Sequence, residues 1–306
     1  MRILVLGHLS IDRWHGKDGA MREEWGGIAN AIATLGSVAG EGDALIPVSG
    51  VSKADYERFC AWAAGFAKIE TAGVYTTEGP TNTVDFYEQK SGIRVACAQS
   101  IAPPIPFDRT RKFLGVDGIL INMASGADIT LDTLDQIRME VRSKSTPIHF
   151  DYHNLTTAVG DDRQRLVRPL PEWRRWAFMI SNIQLNEKEA AGLTVEGLGE
   201  EQLAGHLLTL GSTCVVITRG SRGATLYLND RKKIIRRDAL PPAVAEAEAT
   251  DATGLGDIFG AAFFYESLRS ADLVRALQYA QAVASAKAPL ARSARWARPG
   301  AGGSAG

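Results

Sequence analysis

Residues 249–268 read A-T-D-A-T-G-L-G-D-I-F-G-A-A-F-F-Y-E-S-L. Gly254 and Gly256 flank Leu255, and Asp257 then opens a run with apolar residues at helical spacing: Ile258, Phe259, Ala262 and Phe263. Glycine lets the backbone turn tightly, and the first turn of a helix leaves several N–H groups unpaired. With the helix dipole pointing the same way, Gly254–Asp257 predicts a pocket for an anion. A carboxylate is out of place there as an anion ligand, but it suits a base beside a transferring phosphoryl group. The bland alternative is that Asp257 is an ordinary helix N-cap. Gly40-Glu41-Gly42-Asp43 has the same spelling yet leads into a strand-like apolar run at 44–48, where no helix start aims N–H groups at a ligand.

Outward from this stretch, apolar runs alternate with helical patterns. Residues 2–7, 44–48, 118–122, 147–152, 177–181 and 213–218 read as strands, and 28–35, 53–66, 131–142, 187–192 and 200–210 as helices. Such alternation predicts a mostly parallel sheet covered on both faces, with ligands at the carboxyl ends of its strands. Residues 73–77, 81–88 and 94–98 differ: they are β-branched and aromatic, alternate in polarity, and are separated by Glu78-Gly79-Pro80 and Lys90-Ser91-Gly92. They predict a small antiparallel sheet projecting from the body, as a lid or a homodimer contact. Residues 291–306, rich in Arg, Gly and Ala, predict a mobile tail.

Composition narrows the classes. In 306 residues, 45% are hydrophobic and 23% charged, and the formal net charge is −1, which argues against an extended nucleic-acid or anionic-membrane surface. Cys60, Cys97 and Cys214 are odd in number and far apart, so neither a disulfide framework nor a zinc pair follows, and a cytoplasmic setting is expected. No run is long enough for a membrane span, and no G-x-x-x-x-G-K-[ST] phosphate loop occurs.

Further features fall where strands end. Thr218-Arg219-Gly220-Ser221-Arg222-Gly223 is a strand running into a glycine turn. Asn186 and Glu189, three apart, sit on the first turn of a helix. They fit either a capping box or oxygen groups that hold the waters of a Mg²⁺ ion. Asp12, Gly26, Gly27 and Asn30 put a carboxylate, bare backbone and an amide in loops at the same sheet edge, chemistry suited to sugar hydroxyls. His149, Asp151 and His153 alternate, so a strand through them would point all three to one face as ligand types for a metal.

Taken jointly and in order, these residues resemble the ribokinase-like carbohydrate kinases, the PfkB family. The carriers are Asp251-Ala252-Thr253-Gly254-Leu255-Gly256-Asp257, Asn186 with Glu189, Thr218 with Gly220 and Gly223, Asp12, and Gly26-Gly27 with Asn30. The resemblance implies one ribokinase-like domain over 1–290, a three-layer α/β/α body with a mostly parallel sheet and a β lid from 12–25 and 73–100. It implies ATP-dependent phosphorylation of a hydroxyl on a sugar-like molecule. Asp257 would be the base, and the N–H groups of Leu255, Gly256 and Asp257 the anion hole. Asn186 and Glu189 would serve Mg²⁺ through water. Thr218, Gly220 and Gly223 would line the nucleotide site, with Asp151 and Asn154 shaping its edge. Asp12, Gly26, Gly27 and Asn30 would grip the acceptor, and Asp251 would mark a monovalent cation such as K⁺. Departures fall on the acceptor side: Gly26–Asn30 is one residue shorter than in ribokinases and lacks their lysine, with Trp25 and Ile28 bulky instead. Two rivals stand beside this reading. One is a nucleoside kinase of the same fold, with Trp25 stacking on the base. The other is a ligand-binding or regulatory protein that has lost turnover.

Overall fold

The computed structural model describes residues 1–16, 19–66, 68–88, 94–230, 233–241 and 253–290; Asp251 and the tail at 291–306 lie outside them. In chain order the strands and helices begin with β1 (Arg2–Leu6), β2 (Leu9–His15), β3 (Met21–Gly27), α1 (Ala29–Val38), β4 (Ala44–Ser52), α2 (Lys53–Ala63), β5 (Val74–Thr77), β6 (Asn82–Glu88) and β7 (Arg94–Ser100). They continue with α3 (Phe107–Arg111), β8 (Gly118–Asn122), α4 (Leu131–Val141), β9 (Ile148–Asp151), β10 (Thr157–Val159), β11 (Arg165–Val167), α5 (Trp173–Ala177), β12 (Asn182–Asn186) and α6 (Glu187–Gly192). The remainder are α7 (Glu200–Thr209), β13 (Cys214–Thr218), β14 (Ala224–Asp230), β15 (Lys233–Ala239), α8 (Leu255–Ser270) and α9 (Leu273–Lys287).

A nine-stranded sheet runs β15-β14-β13-β12-β9-β8-β1-β4-β5, parallel from β13 to β5 and antiparallel at β14 and β15. Its strands are apolar on both faces because helices cover both. Leu4, Leu6, Ile119, Ile121, Phe150 and Leu185 face one buried cluster with α4, α5 and α7. Ile3, Val5 and Leu120 face another with α1 and α8, and Val216 and Leu226 a third with α8 and α9. Strand order reverses at β1, which lies between β4 and β8, and the crevice beyond the carboxyl ends of β1 and β8 is where ligands bind in open α/β sheets. Gly7 follows the last residue of β1 there, and a Cβ on it would lie 2.3 Å from the Asn122 carbonyl oxygen.

The lid is a four-stranded sheet, β3-β2-β6-β7, standing over that crevice. Its order corrects one expectation. The stretch 73–77 does not belong to it: β5 pairs in parallel with β4 at the edge of the main sheet. Gly73 permits this, since a Cβ there would lie 2.3 Å from the Pro47 carbonyl oxygen. Asp12 is likewise on β2 and not in a loop. A second expectation also moves. Residues 177–181 are the end of α5 and a turn with Met179 at φ 57°, and the strand is β12, one segment later. Its polar Asn182 and Gln184 are buried, which masked it as a strand. The Gly40–Asp43 lookalike turns into β4 as expected, with the Asp43 carboxylate accepting from the chain's terminal amine and from Tyr265 Oη.

Candidate active site

Helix α8 begins one residue after Gly254, which serves as N-cap with φ 80° and no side-chain cap. Asp257 is therefore the third helical residue and not the cap, which removes the bland reading of this stretch. The first backbone bond closing the helix runs from Ile258 N to the Gly254 carbonyl, 3.0 Å, so Leu255, Gly256 and Asp257 supply the unpaired first-turn N–H groups. A Cβ on Gly254 would lie 2.7 Å from Asn30 Nδ2, whereas one on Gly256 meets nothing within 4 Å. Helix α8 is buried on every side from Asp257 to Glu266, so its start is held rigidly against α1, α9 and the sheet.

Asp257 is only 6% exposed, and two amides grip its carboxylate. Asn30 Nδ2 donates to Oδ2 at 3.0 Å, and Asn122 Nδ2 to Oδ1 at 2.9 Å. Asn30 is the second residue of α1, and Asn122 closes β8 at the crevice. His153 Nδ1 lies 3.6 Å from Asp257 Oδ1. Below them Gln184 Nε2 donates to Asp151 Oδ2 and to the Gly256 carbonyl, each at 3.1 Å, tying the first turn of α8 to β12. Gly260 makes room, as a Cβ there would lie 2.6 Å from Gln184 Oε1.

Electrostatics follow from this crowding of carboxylates. Burial pushes the Asp151 pKa well above the usual carboxylate value; His153 opposes the rise, while Glu189 and Asp257 add to it. Burial alone lowers the His153 pKa, but Asp257, Asp151 and Glu189 together outweigh it and hold the imidazole above its ordinary value. Burial raises Glu189 to about 7, against the pull of His153. His153 adopts φ 40°, a conformation costly for a non-glycine residue. The expected His149-Asp151-His153 face is not realised. His149 is fully buried against Phe263 and Phe264, His153 has left the strand, and it is Asp257 that joins Asp151 and His153 within 4.8 Å.

Two cavities flank Asp257. The larger, about 510 Å³, is lined by Asn186, Glu189, Thr218, Gly220, Gly223 and the Gly254–Asp257 turn among others. The smaller, about 210 Å³, lies under the lid and is lined by Asp12, Gly27, Asn30, Phe86, Asn154 and Arg165 among others. His153, Thr253, Gly254 and Asp257 line both. In the larger cavity Asn186, Thr218 and Asp151 are the last residues of β12, β13 and β9. The turn after Thr218 is held by Arg219 N donating to the Gly223 carbonyl at 2.7 Å and by Arg219 bridging Glu187 and Glu200. Asn186 and Glu189 do form the capping box: Asn186 N donates to Glu189 Oε2 at 2.8 Å, and Glu189 N to Asn186 Oδ1 at 2.9 Å.

On the smaller side Asp12 is 4% exposed and accepts from Ser10 Oγ at 2.7 Å. Gly26 does not line the cavity; it lies behind Asp12, where a Cβ would be 2.2 Å from the carboxylate. Gly27, at φ 59°, does line it. Trp25 is absent from the lining, its ring packing edge-on to Phe59 at 5.6 Å under Arg58. The aromatic at the cavity is Phe86, stacked on Trp14 at 4.2 Å and 5°. Asn122, Gln184, Phe86 and Arg165 were not singled out in the sequence. For Asn122 the signal was present, a polar residue closing an apolar strand as at Asp151, Asn186 and Thr218.

Residues 159–289 match the pfkB family carbohydrate kinases. A cytidine kinase from Thermococcus kodakarensis is 25% identical over 272 residues, 85% of this chain and 86% of its own length. A nucleoside kinase from Methanothermobacter thermautotrophicus is 40% identical over 79 residues, 26% of this chain and 23% of its own. Among solved structures, ribokinase from Giardia lamblia superposes with TM-score 0.73 at 16% identity over 97% of both chains. Ribokinase from Arabidopsis thaliana, complexed with ribose and ATP, gives TM-score 0.70 at 19% identity over 94% and 92%. A pyrophosphate-dependent kinase of the ribokinase family, complexed with a pyrophosphate analog and myo-inositol, gives TM-score 0.70 at 16% identity over 94% and 95%. Both the fold class and the family resemblance are borne out. No helix among the described residues is long and apolar enough to cross a membrane.

Proposed function

We propose that this chain, which has the ribokinase-like fold and matches the pfkB family carbohydrate kinases over residues 159–289, transfers the γ-phosphoryl group of ATP to a hydroxyl of a sugar or sugar-like molecule. One observation carries the assignment of sites: two cavities share their wall at Asp257 and the Gly254 turn, which suits a donor on one side and an acceptor on the other. Asp257 takes the proton of the acceptor hydroxyl as its oxygen attacks the γ-phosphorus. The bond from that phosphorus to the β,γ-bridging oxygen breaks, and ADP leaves. The N–H groups of Leu255, Gly256 and Asp257 stabilise the equatorial oxygens of the moving group. Asn30 and Asn122 hold both carboxylate oxygens in place from opposite sides, fixing the base without neutralising it.

The donor cavity takes ATP along Thr218, Gly220 and Gly223, with its terminal phosphate at the start of α8. Asn186 and Glu189 suit Mg²⁺ held through water. Their oxygens face the same cavity, and the capping box occupies only part of the lone-pair capacity of the Glu189 carboxylate. Held there, such an ion would neutralise phosphate charge. On the acceptor side Asp12, Gly27 and Asn30 grip hydroxyls. The lid excludes water from the junction, limiting transfer to solvent. A nucleoside acceptor is the second reading, favoured by Phe86, which offers an aromatic face in the acceptor cavity where Trp25 does not. A protein without turnover has no need of a doubly gripped carboxylate between two cavities.

The test is an ATP-consumption screen against sugars, sugar phosphates, sugar acids and nucleosides, with products identified by mass. ADP release that depends on an acceptor, and a product heavier by one phosphoryl group, is the expected result. Binding of ATP without transfer to any acceptor class would leave a ligand-binding protein instead.

A further inference from the structure

Strand β11 carries an inversion of the ordinary pattern. In the hairpin of β10 and β11, Val159 pairs with Arg165 and Ala158 with Leu166, and it is the charged residue that lines the cavity while its apolar neighbours stay exposed to water. Leu166 and Val167 are 59% and 56% exposed, while Arg165 is half-buried and lines the acceptor cavity. It does not line the donor cavity. A hairpin covering a cleft for stability alone would place Leu166 inside and Arg165 in water.

The guanidinium is also under-used. It has five N–H donors, and among the described residues it makes one hydrogen bond, Nη1 to Thr157 Oγ1 at 3.2 Å, and no ion pair. Arg138, a fully buried arginine, shows what a structural one looks like: it pairs with Asp135 at 2.8 Å and donates to the carbonyls of Arg175 and Trp176. The carboxylates around the acceptor cavity are engaged elsewhere. Asp128 accepts from His8 N, Ser125 N, Ser125 Oγ and Gly126 N. Asp257 is held by Asn30 and Asn122, and Asp12 by Ser10. Burial accordingly lowers the Arg165 pKa, with Asp128 compensating in part from a distance. A cation withdrawn from water without a paired anion is costly unless a ligand supplies one.

The hairpin is fastened to the lid as well. Ala98 N donates to the Arg163 carbonyl at 2.9 Å, Arg163 Nη1 donates to the Gln99 carbonyl at 2.6 Å, and Cys97 bridges Gln164. Arg165 is thus placed where lid and acceptor meet.

We propose that Arg165 is a specificity-determining residue that recognises an anionic group, carboxylate or phosphate, on the phosphate acceptor. The guanidinium fork matches either group with two parallel hydrogen bonds. The inference rests on the phosphotransfer reading for the meaning of the smaller cavity, but binding tests it separately from turnover.

The experiment titrates the full chain calorimetrically with two matched pairs, ribose against ribose 5-phosphate and glucose against gluconate, for wild type, Arg165→Gln and Arg165→Lys. The first pair reports on phosphate and the second on carboxylate. In at least one pair the anionic member should bind the wild type at least about tenfold more tightly than the neutral one, a charge-assisted bidentate contact being worth that much or more. Arg165→Gln should reduce that preference to about twofold or less without changing the KM for ATP, and Arg165→Lys should restore part of it, as a point charge without the fork. Equal binding within both pairs, or an Arg165→Gln variant that weakens neutral and anionic members alike, overturns the inference. ADP release in the same samples judges the kinase reading on its own. An anionic preference with no turnover sinks phosphotransfer but leaves Arg165 as the anion site; turnover of neutral acceptors alone does the reverse.

Discussion

Replacing Asp257 with Asn tests the base while changing one heavy atom. In the native site Asn30 and Asn122 both donate to the carboxylate, so the new amide nitrogen would face a donor. Asn122 can resolve the clash. Its Oδ1 is buried without a hydrogen-bond partner among the described residues, and turning the amide over would present that oxygen to the new N–H. The turn gives up the Asn122 Nδ2 bond to Asp151 at 3.3 Å, a long one. The net stability cost is therefore about 1–3 kcal/mol, the range for one poorly satisfied buried polar group. Loss of a general base, in contrast, lowers turnover by roughly 10²–10⁴, or about 2.7–5.4 kcal/mol in the transition state. Urea denaturation gives the first quantity, and a coupled ADP-release assay at saturating ATP, with the acceptor found by screening, gives the second. Affinity for ATP should stay close to wild type, because the N–H groups at the start of α8 remain. A variant that melts like wild type and turns over within a fewfold of it would remove Asp257 from the chemistry, whatever its position.

Glycine substitutions separate geometry from contact. Gly254→Ala forces a side chain into φ 80° and 2.7 Å from Asn30 Nδ2, so it should lower both stability and kcat, whereas Gly256→Ala, with open space around its Cβ, should fold normally and raise mainly the KM for ATP. Glu189→Gln keeps a residue able to close the capping box, so the melting temperature should hold while the Mg²⁺ concentration for half-maximal rate rises; an unchanged Mg²⁺ requirement would leave Glu189 as a cap only. His149 is buried in an apolar setting that drives its pKa down to about 3, far below its ordinary 6.5. A depressed folded-state pKa contributes stability that is present above pH 6.5 and lost as pH falls toward 3, here up to about 5 kcal/mol. Denaturation midpoints of wild type should therefore drop more steeply between pH 7 and pH 4 than those of His149→Leu, and parallel slopes would refute the buried-histidine account.

Legibility in the chain tracked how local the cause was. The helix of α6, its capping box and strand β8 were readable because a few consecutive residues decide them. The acidic residue of Gly254-Leu255-Gly256-Asp257 was readable as a candidate, but its place in the helix was not. The cap and the third helical residue differ by three positions, and that difference is set by Gly254 at φ 80° against Asn30, a residue more than two hundred positions away. A capping carboxylate would have accepted the N–H groups that the proposed transfer leaves for the phosphoryl group; three positions later, the side chain needs donors of its own. Asn30 from α1 and Asn122 from β8 supply them only because strand order reverses at β1. No local pattern encodes that reversal, which is why the strand-end signal at Asn122 did not point to Asp257, why Gln184 was passed over, and why β5 was assigned to the wrong sheet. Strand order thus decides the chemistry as well as the shape. It brings one helix start, two amides and two cavities to the same carboxylate, and each is unremarkable in its own stretch of chain.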